Sequence, residues 1–118
     1  MTAVGQIFGE GLKHRVEVYV PGTLGDQELD TIEHKRWVRT ALRTLAVLFG
    51  GATAIPAQGS WVDNQGQLIV ETVTLVYSHT DTLSIAQLRA VHQLAAALRN
   101  KLNQEAVAVS VDGTLYLI

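Results

Sequence analysis

The sequence predicts an α+β domain of the ferredoxin-like class: a four-stranded antiparallel sheet, two helices on one face and a short C-terminal return strand. Three observations carry this reading. Hydrophobic periodicity changes along the chain in the order strand, helix, strand, strand, helix, strand. Cap and turn residues stand at each change. A length of 118 residues, 47% hydrophobic and 17% charged, suits one folded core and leaves little room for a second domain.

The first twelve residues, with Gly5, Gly9 and Gly11, read as a flexible leader or a weak edge strand; the domain proper is 13–118. From His14 to Val20, Val16, Val18 and Val20 alternate with Arg15, Glu17 and Tyr19, the period of a strand. Pro21-Gly22 ends it, and a polar loop runs to Glu28. Asp30 then opens a helix, with Glu33 at capping-box spacing. Val38, Ala41, Leu42, Leu45, Leu48 and Phe49 keep one face of that helix, while Lys35, Arg36, Arg39 and Arg43 fall largely on the others with Trp37 beside them. Gly50-Gly51 supplies a left-handed stop.

Ala52 to Trp61 is a second extended segment, and Pro56 argues for an edge position or a bulge. Asp63-Asn64-Gln65-Gly66 is a turn, so Trp61 and Leu68 should flank a hairpin. Leu68 to Tyr77 is the strongest strand, apolar or β-branched on both faces. Ser78 to Thr82 is a polar connection, and Ser84 with Gln87 forms a second capping box before the stripe Leu88, Val91, Ala95, Leu98 and Leu102. Ala106–Val111, Asp112-Gly113 and Thr114–Ile118 read as strand, tight turn and return strand.

Helices can cover only one face of such a sheet. With Leu68, Val70 and Val76 otherwise facing water, a second copy is expected on the open face, giving a homodimer; the N-terminal segment is the other available cover. Composition narrows function further. Nine basic against eleven acidic residues disfavour a uniformly basic nucleic-acid binder. The absence of cysteine removes disulfides, thiol catalysis and cysteine zinc sites. No apolar run nears the roughly 20 residues of a membrane span, and no charged-then-apolar leader marks a signal peptide. A cytoplasmic protein that needs no cofactor is expected.

The run Phe49-Gly50-Gly51-Ala52-Thr53, then Gly59-Ser60-Trp61, Gly66, Glu71, His79-Thr80-Asp81 and Gln104-Glu105-Ala106-Val107 resembles the pattern of an uncharacterised bacterial family catalogued as domain of unknown function 3574. The similarity runs from about Glu17 to the C-terminus. It departs at Val18-Tyr19-Val20-Pro21 and Leu115-Tyr116-Leu117-Ile118, where the family carries a phenylalanine–glycine pair and a cysteine. The resemblance implies the ferredoxin-like fold and no particular activity.

Candidate chemistry rests on few residues. Glu71 sits mid-strand, where a carboxylate is expensive unless paired; Glu17 and Arg15 are its expected neighbours, and it is a general acid/base candidate. His79 at a strand end is the other, its bland alternative being a loop that caps the next helix. No HExxH, phosphate loop, dinucleotide fingerprint or nucleophile elbow occurs, and a metal site is not expected. Trp61 is placed for ligand stacking or as a core or dimer-interface anchor, and is expected to matter more than Trp37. Glu71 and His79, eight residues or roughly 26 Å apart along a strand, should not form a dyad. The leading reading is a non-catalytic dimeric domain binding a partner or small ligand near Trp61, Glu71, Glu17 and Tyr19. The alternative is a small enzyme using Glu71 or His79.

Overall fold

The computed structural model describes residues 2–118. Ten elements follow in order: α1 (Ala3–Phe8), β1 (His14–Pro21), β2 (Thr23–Leu24), β3 (Gln27–Glu28), α2 (Thr31–Phe49), β4 (Thr53–Val62), β5 (Leu68–Thr80), α3 (Ile85–Lys101), β6 (Ala108–Val111) and β7 (Thr114–Leu117). The main sheet is antiparallel in the order β4-β5-β1-β6-β7. The four strands of the βαββαβ unit thus keep the ferredoxin-like order. The sheet has five strands rather than four, because the return strand pairs with β6 and extends the same ladder. The segment read as a leader or weak edge strand holds the short helix α1, capped by Thr2 and burying none of its residues. The loop after Pro21 holds a small separate hairpin, β2–β3.

Local chemistry explains the boundaries. Asp30 caps α2 by accepting from the Ile32 and Glu33 amides, and Gly50 closes it at φ +91°. Ser84 and Gln87 form a reciprocal capping box on α3. The β4–β5 hairpin turns on Asp63, whose Oδ1 accepts from Gln65 and Gln67. Pro56 lies on β4, an edge strand of the sheet, where a missing N–H costs least.

The core is one layer between sheet and helices. Val16, Val18, Val20 and Val76 meet Ala41, Leu45, Val91, Ala95 and Leu98, all buried. Even-numbered residues of β5 from Thr74 to Thr80 point into this layer. Val76 is 0% exposed, which corrects its expected place on the open face. Leu68 and Val70 share its parity but lie toward the hairpin tip and remain exposed. The open face instead carries Ile69, Glu71, Val73, Leu75, Tyr77 and His79. Both parities of β5 are apolar, so composition alone could not say which set the helices would take.

Trp37 also departs from expectation. It is half-buried against the core, whereas Trp61 is 52% exposed near the hairpin tip. Trp37→Ala is therefore expected to cost about 2 kcal/mol, roughly half of a full tryptophan truncation, and Trp61→Ala under about 1 kcal/mol. Urea unfolding of the two variants checks this; an equal loss in both would contradict it.

The sheet's far corner is tied by a charged brace. His14 Nδ1 lies 2.7 Å from Asp112 Oδ2, and the Arg15 amide donates to Asp112 Oδ1 at 2.8 Å. The His14 ring, then the Arg15 N–H, hold the Asp112 carboxyl below its ordinary value of 3.8. A carboxyl depressed in the folded state adds stability above that ordinary value and loses it as pH falls through the lower, folded one. Asp112→Asn should therefore melt below the wild type near neutral pH, and the gap should close on acidification. Thermal melts from about pH 6 to about pH 2 test this.

Candidate functional site

At the hairpin end of the open face lies a shallow depression of about 180 Å³ lined by Tyr19, Pro21, Thr23, Gly59, Glu71 and Gln104 among others. Strand register builds it. Gly59 is the Cα partner of Glu71, and a Cβ at Gly59 would meet nothing within 4 Å, so the space across from the carboxylate is open. Glu71 is half-buried. Among the described residues its side chain makes neither an ion pair nor a hydrogen bond. A half-buried carboxylate that no protein group engages is available to a ligand.

Two devices fix the walls. Gln104 Nε2 donates within a cage of oxygens, Leu102 O at 3.0 Å, Thr23 O at 3.1 Å, Thr23 Oγ1 at 3.2 Å and Gly25 O at 3.3 Å. It ties the exit of α3 to the β2–β3 hairpin. The Gly22 amide donates to Thr72 O at 2.9 Å, an approach that leaves no room for a side chain, since a Cβ at Gly22 would lie 2.7 Å from that oxygen. His34 completes the frame from α2, with Nδ1 3.0 Å from Pro21 O and Nε2 2.7 Å from Thr74 Oγ1. Nδ1–H can donate only to the carbonyl, so in the neutral ring Nε2 accepts from the Thr74 hydroxyl.

Of the sequence candidates, the structure brings Tyr19 and Glu71 to one depression. It does not bring Glu17 or Arg15 there. Glu17 is paired in register with Tyr77 and Arg15 with His79, six and eight residues along β5 from Glu71. There Arg15 Nε lies 3.1 Å from Glu17 Oε1, its guanidinium stacks 4.0 Å from the Tyr77 ring centre, and His79 packs edge-on against Tyr77. Trp61 shares the face of Glu71 but pairs with Ile69, one step nearer the tip, outside the depression's lining. Glu71 and His79 lie on one unbroken strand, which keeps them apart as the spacing argument expected. His79 is exposed and lines a separate hollow beside Gly50 and Gly51. Among the described residues no group of three His, Cys, Asp or Glu side chains could hold a metal ion.

Sequence reasoning passed over Gln104 as a framing residue, as well as His34. Gln104 stood only as part of a resemblance. A half-buried amide among four carbonyl and hydroxyl oxygens has no periodic signature, because three of those oxygens belong to Thr23 and Gly25, some eighty residues earlier.

No protein-family model and no curated protein sequence matches the chain. Among solved structures, it is similar to a phage SAM lyase in complex with S-methyl-5'-thioadenosine, at 24% identity, covering 92% of this chain and 91% of that one, with a TM-score of 0.65. The phage SAM lyase in its apo state matches at 23% identity over 89% of this chain and 87% of that one, TM-score 0.64. The periplasmic divalent cation tolerance protein CutA from Archaeoglobus fulgidus matches at 11% identity over 83% and 79%, TM-score 0.51. No helix among the described residues is long and apolar enough to cross a membrane. The likeness is one of fold: a small α+β domain whose helices pack on an antiparallel sheet.

Proposed function

We propose that the protein binds a sulfonium nucleoside of the S-adenosylmethionine type in the depression carrying Glu71 and Tyr19, with a second copy of the chain covering the open face. The observation that carries this is the unpaired, half-buried Glu71 carboxylate across from Gly59. A sulfonium bears a fixed positive charge with no proton to lose. Its attraction to a carboxylate strengthens where water is partly excluded, and an aromatic ring such as Tyr19 adds a cation–π term. The phage lyase of similar fold, bound to S-methyl-5'-thioadenosine, supports this ligand class by analogy of fold.

The depression is smaller than the roughly 300–1,000 Å³ of pockets that enclose a drug-sized ligand. One chain would hold the charged centre and leave the rest of the nucleoside uncovered. The open face around it is apolar, with Leu75 flanked in register by Ile55 and Tyr19, and a copy laid over it supplies the missing wall. Trp61, exposed on the same face, would lie at that boundary.

The same unpaired carboxylate favours a second reading, cleavage of the bound sulfonium. Breaking the bond from sulfur to the aminocarboxypropyl chain leaves S-methyl-5'-thioadenosine, the bonding electrons neutralising the sulfur. The departing fragment either closes on its own carboxylate or loses a proton to a base. Titration calorimetry with S-adenosylmethionine, with chromatography of the same mixture over hours, tests both readings. Heat of binding without new thioether marks a binding domain, and accumulating S-methyl-5'-thioadenosine marks a lyase. Neither heat nor product would overturn the proposal.

A further inference from the structure

The two long helices carry most of the chain's positive charge. Lys35, Arg36, Arg39 and Arg43 lie on α2, and α3 adds Arg89, Arg99 and Lys101; Glu33 is the only acidic residue in either helix. Seven of the nine Lys and Arg residues thus share this layer with one of the eleven Asp and Glu. The chain's net charge of -2 conceals a cationic helical side and an acidic remainder.

On α2 the charge is organised. Lys35, Arg36, Arg39 and Arg43 are exposed and line one open groove of about 550 Å³ together with Ile32 and Thr40. Arg36 pairs with Glu33 at 2.8 Å; Lys35, Arg39 and Arg43 have no ion pair among the described residues. Lys35, Arg39 and Arg43 follow at intervals of four, about one helical turn each, over roughly 12 Å. Duplex DNA presents about seven charges over that length. From this charge complementarity we infer that the outer face of α2 binds the phosphate backbone of double-stranded nucleic acid without reading its sequence.

The groove lacks the features that a single-stranded nucleic acid or a lipid surface needs. It has no aromatic side chain on which an unpaired base could stack. A helix lying in a lipid surface needs an apolar stripe to insert, but α2 turns its stripe inward through Ala41 and Leu45. Its exposed Ile32 and Val47 stand fifteen residues, about 22 Å, apart. This surface lies on the opposite side of the sheet from Glu71 and is independent of the sulfonium proposal.

Fluorescence anisotropy of a labelled 20-base-pair duplex tests it, alongside co-sedimentation with phosphatidylserine-containing vesicles. We expect binding at about 50 mM salt that weakens roughly a hundredfold by about 200 mM, the slope of four phosphate contacts. Arg39→Gln/Arg43→Gln should weaken it at least tenfold. Lys13→Glu changes net charge by the same amount away from the groove and should leave affinity within about twofold. Absence of duplex binding at low salt, equal losses in the two variants, or vesicle binding without duplex binding would each overturn the inference.

Discussion

Glu71→Gln is expected to weaken S-adenosylmethionine binding by roughly thirtyfold while leaving affinity for S-methyl-5'-thioadenosine nearly unchanged. The two ligands share the nucleoside but differ in charge at sulfur. The amide keeps the shape of the carboxylate and removes only its charge. Loss of one charge-assisted contact in a partly desolvated site is worth about 2 kcal/mol, which is that thirtyfold. Stability should hold, because Glu71 makes no ion pair or side-chain hydrogen bond among the described residues for the substitution to break. Calorimetry with both ligands and a thermal melt supply the readouts. Equal losses for the charged and the neutral ligand would place Glu71 as a shape-determining residue. No loss for either would move the site elsewhere, and the hollow beside His79 would be the next place to look.

Much of the fold was legible because its signals are local. The valine alternation of β1, the Asp30 and Ser84 caps, the Gly50 stop and the Asp63 turn each act within four residues, and each sits where the sequence placed it. What was not legible depends on distance. The parity of β5 is set by where α2 and α3 dock, and with Val70, Thr74 and Val76 on one face and Val73 and Leu75 on the other, hydropathy offers no preference. Trp37 was read by its cationic sequence neighbours, but a helix separates neighbours by about 100°, and the ring turns to the core. Glu71 was found from its chemistry in an apolar strand. Its surroundings were misjudged, because the choice of Arg15 and Glu17 as neighbours assumed a register six to eight residues removed from the observed one.

Lysine substitutions along one strand should separate folding from association. Val70 and Val76 are both even-numbered residues of β5, six apart, so their side chains leave the sheet on one side. Val76 is 0% exposed and packed in the core, where a lysine would need to bury its ammonium without a partner or push the helices off the sheet. That costs several kcal/mol, a large part of the stability of a domain this size. Val76→Lys is expected to be unfolded or insoluble. Val70 is 54% exposed, as are its neighbours Leu68 and Val62 in similar degree, and a lysine there keeps its charge in water. Val70→Lys is expected to melt within a few degrees of the wild type. Val70 leaves the sheet on the helix side, whereas the second copy is proposed on the odd-numbered face that carries Leu75 and Tyr77, so the added charge points away from that contact. Light scattering of Val70→Lys should therefore match the wild type, whereas Leu75→Lys on the open face should approach the monomer mass of 12.8 kDa at concentrations where the wild type is larger. If the wild type itself scatters as a monomer at high micromolar concentration, the covering copy is removed from the proposal and the depression must hold its ligand alone. A folded, stable Val76→Lys would instead contradict the placement of the helices over the even face of β5.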